Sequence, residues 1–154
     1  MQLADLVAKA AVIHNLKASS KKQLFQEIAN RAADAYGLSS HDVIAGLTAR
    51  EQLGSTAMSD GVAIPHARIR GLDHIVGLFA RLEKPVDFDA VDGRGVDLVF
   101  CLLAPEQSGA DHLRALARVS RLLRCAATCD KLRETRKPDA LYALITEPPA
   151  SRAA

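Results

Sequence analysis

Apolar positions recur with two different periods along the chain. Leu24, Ile28, Ala32 and Ala35 repeat at helical spacing between a capping-box start, Ser20-Lys21-Lys22-Gln23, and a stop at Gly37. Ser39 or Ser40 can cap a second helix, in which Val43, Leu47 and Arg50 share one face. The middle of the chain changes character. Val62 to Pro65, Ile75 to Leu82 and Val96 to Ala104 are apolar, rich in β-branched residues and bounded by Gly, Pro and Asp, which predicts strands. The last two are apolar on both alternating faces, so both sides of their sheet should be covered. Val12 to Leu16 predicts a short first strand. Ala110 to Cys125 reads as a helix, and Asp139 to Thr146 as another with Pro138 near its first turn. This order predicts a single α/β domain, a mixed β-sheet flanked by helices on both faces.

Composition narrows the setting. With 154 residues, 49% of them hydrophobic, the chain is long enough for one real core. The longest apolar run, Leu98 to Ala104, is strand-sized, so no membrane insertion is expected. No secretory signal pattern is visible, and three cysteines fit a reducing compartment better than a disulfide framework. A cytoplasmic location is expected. Residues 1–147 are expected to form the domain, and 148–154, with Pro148-Pro149 and small residues, a flexible C-terminal tail.

Charge is uneven beneath a net +2. Eight bases against two acids lie between Leu113 and Lys137, a face that could attract a polyanion. Only 4% of residues are aromatic and none interleave with these bases for stacking, so the face reads as a solvated helix surface and nucleic acid is not an expected partner.

Candidate chemistry gathers around Gly61-Val62-Ala63-Ile64-Pro65-His66-Ala67-Arg68. Pro65 fixes its own φ and holds Ile64 extended, which presents His66 on a stiff backbone at a predicted strand exit. His112 lies on the same side of its helix as Leu116, Val119 and Leu123, whereas Arg114, Arg118 and Arg121 lie opposite. It should therefore point into the protein from a first helical turn, where backbone N–H groups favour an anion. Arg50, on the apolar face of the second helix, could clamp a phosphoryl group in bidentate fashion. Ser55 and Thr56, after Gly54, offer hydroxyl donors for phosphate oxygens. Two histidines, an arginine and a hydroxyl pair suit phosphoryl transfer through a phosphohistidine. No Walker A pattern is present, so the phosphoryl group would come from another phosphoprotein or small molecule, and no cofactor is expected.

Arg50-Glu51, Gly54-Ser55-Thr56, the segment ending in Ile64-Pro65-His66 and the later His112-Leu113 together resemble the IIA domain of the bacterial phosphotransferase system, mannitol/fructose/nitrogen-regulatory type. The resemblance spans nearly the whole chain. It implies that His66 is the phosphoacceptor, as a tele-phosphohistidine, loaded by a histidine phosphocarrier protein. It implies that His112 helps hold the phosphoryl group and that Arg50 neutralises its charge. Phe88-Asp89-Ala90-Val91-Asp92 and Val96 to Phe100 are most similar to the nitrogen-regulatory branch, whose members stand alone. That branch implies regulation of partners in nitrogen metabolism and potassium homeostasis. Two positions depart from the family: Ala57-Met58-Ser59 replaces a usual Gly-Ile-Gly, and Ala67 an often-seen glycine.

Three other readings remain. A sugar-specific IIA would pass the phosphoryl group to a IIB domain. A binding module that lost transfer should lack His66 or Arg50, and both are present. A metal-dependent hydrolase would use His66, His112 and His14 or His74. Compact ligand spacing for zinc does not occur, and Cys125 and Cys129 lack nearby histidines, so no metal is expected.

Overall fold

A computed structural model describes residues 2–147; the tail expected at 148–154 lies outside the described residues. Strand β1, Val7–Leu16, precedes helices α1, Lys21–Tyr36, and α2, Ser40–Gln52. Strands β2, Val62–Ala63, β3, His66–Ile69, β4, Val76–Val86, and β5, Val96–Pro105, follow. Helices α3, Gly109–Arg124, α4, Ala126–Glu134, and α5, Pro138–Thr146, complete the described chain.

The helix signals read from sequence act as expected. Ser20 Oγ accepts from the Gln23 N–H at the start of α1, and Gly37, at φ 68°, closes it in the left-handed conformation. Ser39, rather than Ser40, caps α2 through the Asp42 N–H.

The sheet is mixed. β1 pairs parallel with β4, β4 antiparallel with β5, and β5 parallel with both β2 and β3 along its other edge. Nearly every residue of β5 is buried, on both alternating faces. Helices α1, α2, α3 and α5 all contact strands and enclose the sheet on its two sides. Phe79, Phe88, Phe100, Leu24 and Leu47 are among the largest fully buried side chains.

Three predicted boundaries shift and one helix, α4, was not expected; β4 runs on to Val86, four residues past the Leu82 limit read from the pattern. β1 begins at Val7, five residues earlier than expected, because the exposed Ala8-Lys9-Ala10 breaks the apolar pattern and a register irregularity separates Val7 from Val12. The strand expected over Val62 to Pro65 stops at Ala63 and resumes at His66, so His66 opens a strand instead of leaving one. Pro65 has no N–H to contribute to the ladder, yet its carbonyl still accepts from the Leu102 N–H at 3.0 Å. β2 and β3 are thus one strand interrupted at proline, and the interruption turns the His66 ring toward α2.

A short hairpin braces this point. The Met58 N–H donates to Val62 and the Ile64 N–H to the Thr56 carbonyl, around a turn in which Asp60 and Gly61 have φ of 64° and 81°. Gly61 has a second reason to lack a side chain: a Cβ there would meet Arg133 Nη2 at 2.9 Å. Arg133 grips Asp97 with two nitrogens and donates to the Asp60 carbonyl at 2.7 Å, which ties α4 to the turn.

Candidate functional site

α2 ends beside the start of β3, and this junction builds the site. Gly46 lets the helix approach closely, since a Cβ on it would lie 3.0 Å from the Ala67 Cβ. One turn further on, Arg50 reaches His66, its Nε–H donating to His66 Nε2 at 3.2 Å and its Nη1 to the Gly54 carbonyl at 3.0 Å. On the other side of the ring, Nδ1 is 2.7 Å from the Ile64 carbonyl oxygen. A carbonyl can only accept, so Nδ1 carries the proton and Nε2 of the neutral ring keeps a lone pair.

His112, in the first turn of α3, is only 7% exposed and faces inward as its helical position predicts. The rings of His66 and His112 meet edge to face with centroids 5.6 Å apart. His112 Nε2 is buried with no hydrogen-bond partner. Such a group costs about 1–3 kcal/mol unless something supplies a partner. Burial is the largest influence on both imidazoles and pushes each below the usual histidine range. For His66 the Ile64 hydrogen bond opposes this, Arg50 reinforces it and Glu51 opposes it. For His112 the neighbouring His66 and Arg68 add to the lowering. Both rings are therefore kept neutral at pH 7.

Arg50, His66 and His112 come together; Ser55 and Thr56 serve the framework beside them. Ser55 Oγ donates to the Phe88 carbonyl and accepts from the Ala57 N–H. The Thr56 hydroxyl donates to Glu51 Oε2 at 2.7 Å and its N–H to Glu51 Oε1 at 3.0 Å. Among the described residues no three His, Cys, Asp or Glu side chains converge as a metal-ligand set. Two participants, Glu51 and Arg68, stand in the sequence motifs but had no role assigned to them there. Alternation along β3 places Arg68 on the same strand face as His66, a signal that was available. Nothing in the sequence indicated the partners of Glu51.

Residues 5–147 match the family described as phosphoenolpyruvate-dependent sugar phosphotransferase system, EIIA 2. The chain belongs to this family. It is a phosphotransferase-system component, and IIA proteins take phosphoryl groups from phosphocarrier proteins and pass them on. Within the family, this IIA chain is 51% identical to a nitrogen regulatory protein of Bradyrhizobium diazoefficiens, over 99% of its own length and 100% of the relative's. It is 35% identical to the nitrogen regulatory protein of Pseudomonas aeruginosa, with 96% of each covered. Its fold superimposes on the crystal structure of nitrogen regulatory protein IIA-Ntr from Neisseria meningitidis with a TM-score of 0.88, at 34% identity, covering 94% of this chain and 99% of that one. The expected fold class and the resemblance to the nitrogen-regulatory branch are borne out. Among the described residues no helix is long and apolar enough to cross a membrane.

Proposed function

We propose that this IIA chain is a cytoplasmic phosphocarrier of the nitrogen-regulatory branch, which accepts a phosphoryl group on His66 Nε2 and signals through its phosphorylation state. The observation that carries the reading is the His66 ring, held at Nδ1 by the Ile64 carbonyl, with Nε2 facing Arg50 and the ring of His112 5.6 Å away.

The donor is a phosphorylated histidine phosphocarrier protein. The Nε2 lone pair attacks phosphorus in line, the donor's N–P bond breaks, and that electron pair returns to the donor's imidazole nitrogen. Arg50 gives up its hydrogen bond to Nε2 as phosphorus arrives and turns its N–H groups to the phosphoryl oxygens. His112 Nε2 gains, in a phosphoryl oxygen, the partner it lacks in the resting protein. Nδ1 keeps its proton during the step, so the Ile64 contact persists and the phosphorylated ring carries a positive charge; the donor ring starts as a protonated phosphoimidazolium and leaves as neutral imidazole. Ser55 and Thr56 support the loop, and any contact of theirs with phosphate requires exchange of their present partners.

Loading places about two negative charges on phosphoryl oxygens beside Arg50, offset in part by the positive charge on the His66 ring. Leu113, 70% exposed next to His112, and Leu53, 84% exposed just past α2, form part of the surface around the site that a partner would sense. The regulatory targets are therefore proteins that read this surface, in nitrogen and potassium homeostasis by the implication of the branch. The sugar-specific alternative has weaker support, because the relatives at 51% and 35% identity carry the nitrogen regulatory name.

Incubation with a phosphorylated histidine carrier tests the reading. An acid-labile, base-stable label is expected on the wild type, none on His66→Ala, and slower labelling on His112→Ala. Equal labelling of His66→Ala and wild type would sink the acceptor assignment.

A further inference from the structure

Glu51 lies in the last turn of α2 with its side chain only 6% exposed. A carboxylate so placed must be compensated, because an unpaired buried charge costs several kcal/mol, roughly. Three donors supply the compensation: the Thr56 N–H, the Thr56 hydroxyl, and Lys21 Nζ at 3.2 Å from Oε1. Lys21 opens α1, sits 4.8 Å from the centre of the Phe88 ring and also reaches Asp89 at 3.4 Å. One buried acid thus joins α1, α2 and the loop after α2.

The contacts continue toward the acceptor. Thr56, gripped twice by Glu51, accepts through its carbonyl from the Ile64 N–H at 3.1 Å. The Ile64 carbonyl in turn holds His66 Nδ1 at 2.7 Å. Arg50 and Glu51, adjacent in sequence, therefore bear on opposite nitrogens of one ring. Arg50 acts on Nε2 directly; Glu51 acts on Nδ1 through Thr56 and Ile64.

We propose that Glu51 is a positioning residue for the phosphoacceptor: through Thr56 and Ile64 it holds the Nδ1–H form of His66 and keeps the Nε2 lone pair aimed at the incoming phosphorus. The proposal rests on the reading of His66 as acceptor. In the other neutral tautomer Nδ1 would present a lone pair to the Ile64 carbonyl, two acceptors in opposition, and Nε2 would carry a proton and be no nucleophile. A carbonyl fixed in place excludes that form; once the carbonyl drifts, only the Arg50 Nε–H facing Nε2 still opposes it.

Glu51→Gln keeps the shape but places an NH2 against one of the three donors, which loosens the Thr56 anchor. In the unphosphorylated protein, ring 15N–1H spectra should show His66 as Nδ1–H in the wild type and as a mixture of tautomers in Glu51→Gln. Loading from a phosphorylated histidine carrier should fall on the order of tenfold in kcat with KM unchanged, because orientation and not docking is lost. A wild-type His66 spectrum in Glu51→Gln, or a loss confined to KM, would overturn the proposal. Should Glu51→Gln fail to fold, Thr56→Val and Thr56→Ser replace it with the ring spectrum as readout. Thr56→Val, which deletes the hydroxyl, should move the tautomer balance in the same direction, whereas Thr56→Ser should restore it; identical spectra for the two would overturn the proposal. If the wild type takes no phosphoryl group on His66, the acceptor reading fails alone, since the spectra need no phosphoryl donor.

Discussion

At the scale of single residues, the two nitrogens of His66 have divided duties, one tethered to a carbonyl and the other facing a guanidinium. The tether needs a fixed backbone, and the guanidinium needs two donors in one plane. Arg50 spends Nε on His66 and Nη1 on Gly54, a fork an ammonium cannot reproduce. Arg50→Lys should therefore slow loading on the order of tenfold or more, although the positive charge remains. Initial rates with a phosphorylated carrier would show this, and a wild-type rate would mean that charge alone suffices. The three central residues were legible because each lies in an informative local pattern: His66 after Pro65, Arg50 on an apolar helix face, His112 among inward-facing positions. The hydroxyls of Ser55 and Thr56 were legible only as donors. Their acceptors, Phe88 and Glu51, are set by how the loop folds back, which residue type cannot reveal.

At the scale of elements, the site depends on how closely α2 lies on β3. Gly46 is the point of approach, with 3.0 Å available between an added Cβ and that of Ala67. Gly46→Ala gains helix propensity worth about 1 kcal/mol but forces the two elements apart, which typically costs about 1–3 kcal/mol. The expected result is a protein destabilised by up to about 2 kcal/mol, with loading slowed because Arg50 moves with its helix. Urea unfolding and labelling rates measured together would check this; unchanged rates would separate helix position from Arg50 alignment. The Ala67 methyl makes this contact tighter than a glycine at that position would. The helix limits were readable from Ser20, Gly37 and Ser39 because caps act locally. The division of one strand into β2 and β3 was not, since proline's effect there depends on β5 still supplying the Leu102 N–H to the Pro65 carbonyl.

At the scale of the whole molecule, the two imidazoles link stability to pH. Burial lowers both in the folded protein, while unfolding returns them to about 6.5. Below that value the unfolded chain binds more protons than the folded one, so stability rises with pH. The contribution of these histidines is complete above about pH 6.5 and is lost as pH falls through their folded values. Urea midpoints should therefore fall between pH 7.5 and 5.5, and the fall should be smaller in a His66→Gln/His112→Gln variant. An equal fall in that variant would assign the acid sensitivity to carboxylates. Loading should persist somewhat below pH 6.5, because Nε2 stays unprotonated in the folded ring.

Periodicity, capping and proline stiffness act over a few neighbours, so the α/β class, the helix caps, the buried strands β4 and β5 and the residue types at the site could be read from residue order alone. Sheet order, the resumption of the strand at His66, and the meeting of α2, β3 and α3 that brings Arg50, His66 and His112 together arise only in the packed fold. So do the tautomer of His66 and the partners of Glu51. Those depend on distances between segments far apart in the chain, which packing sets and local pattern does not encode.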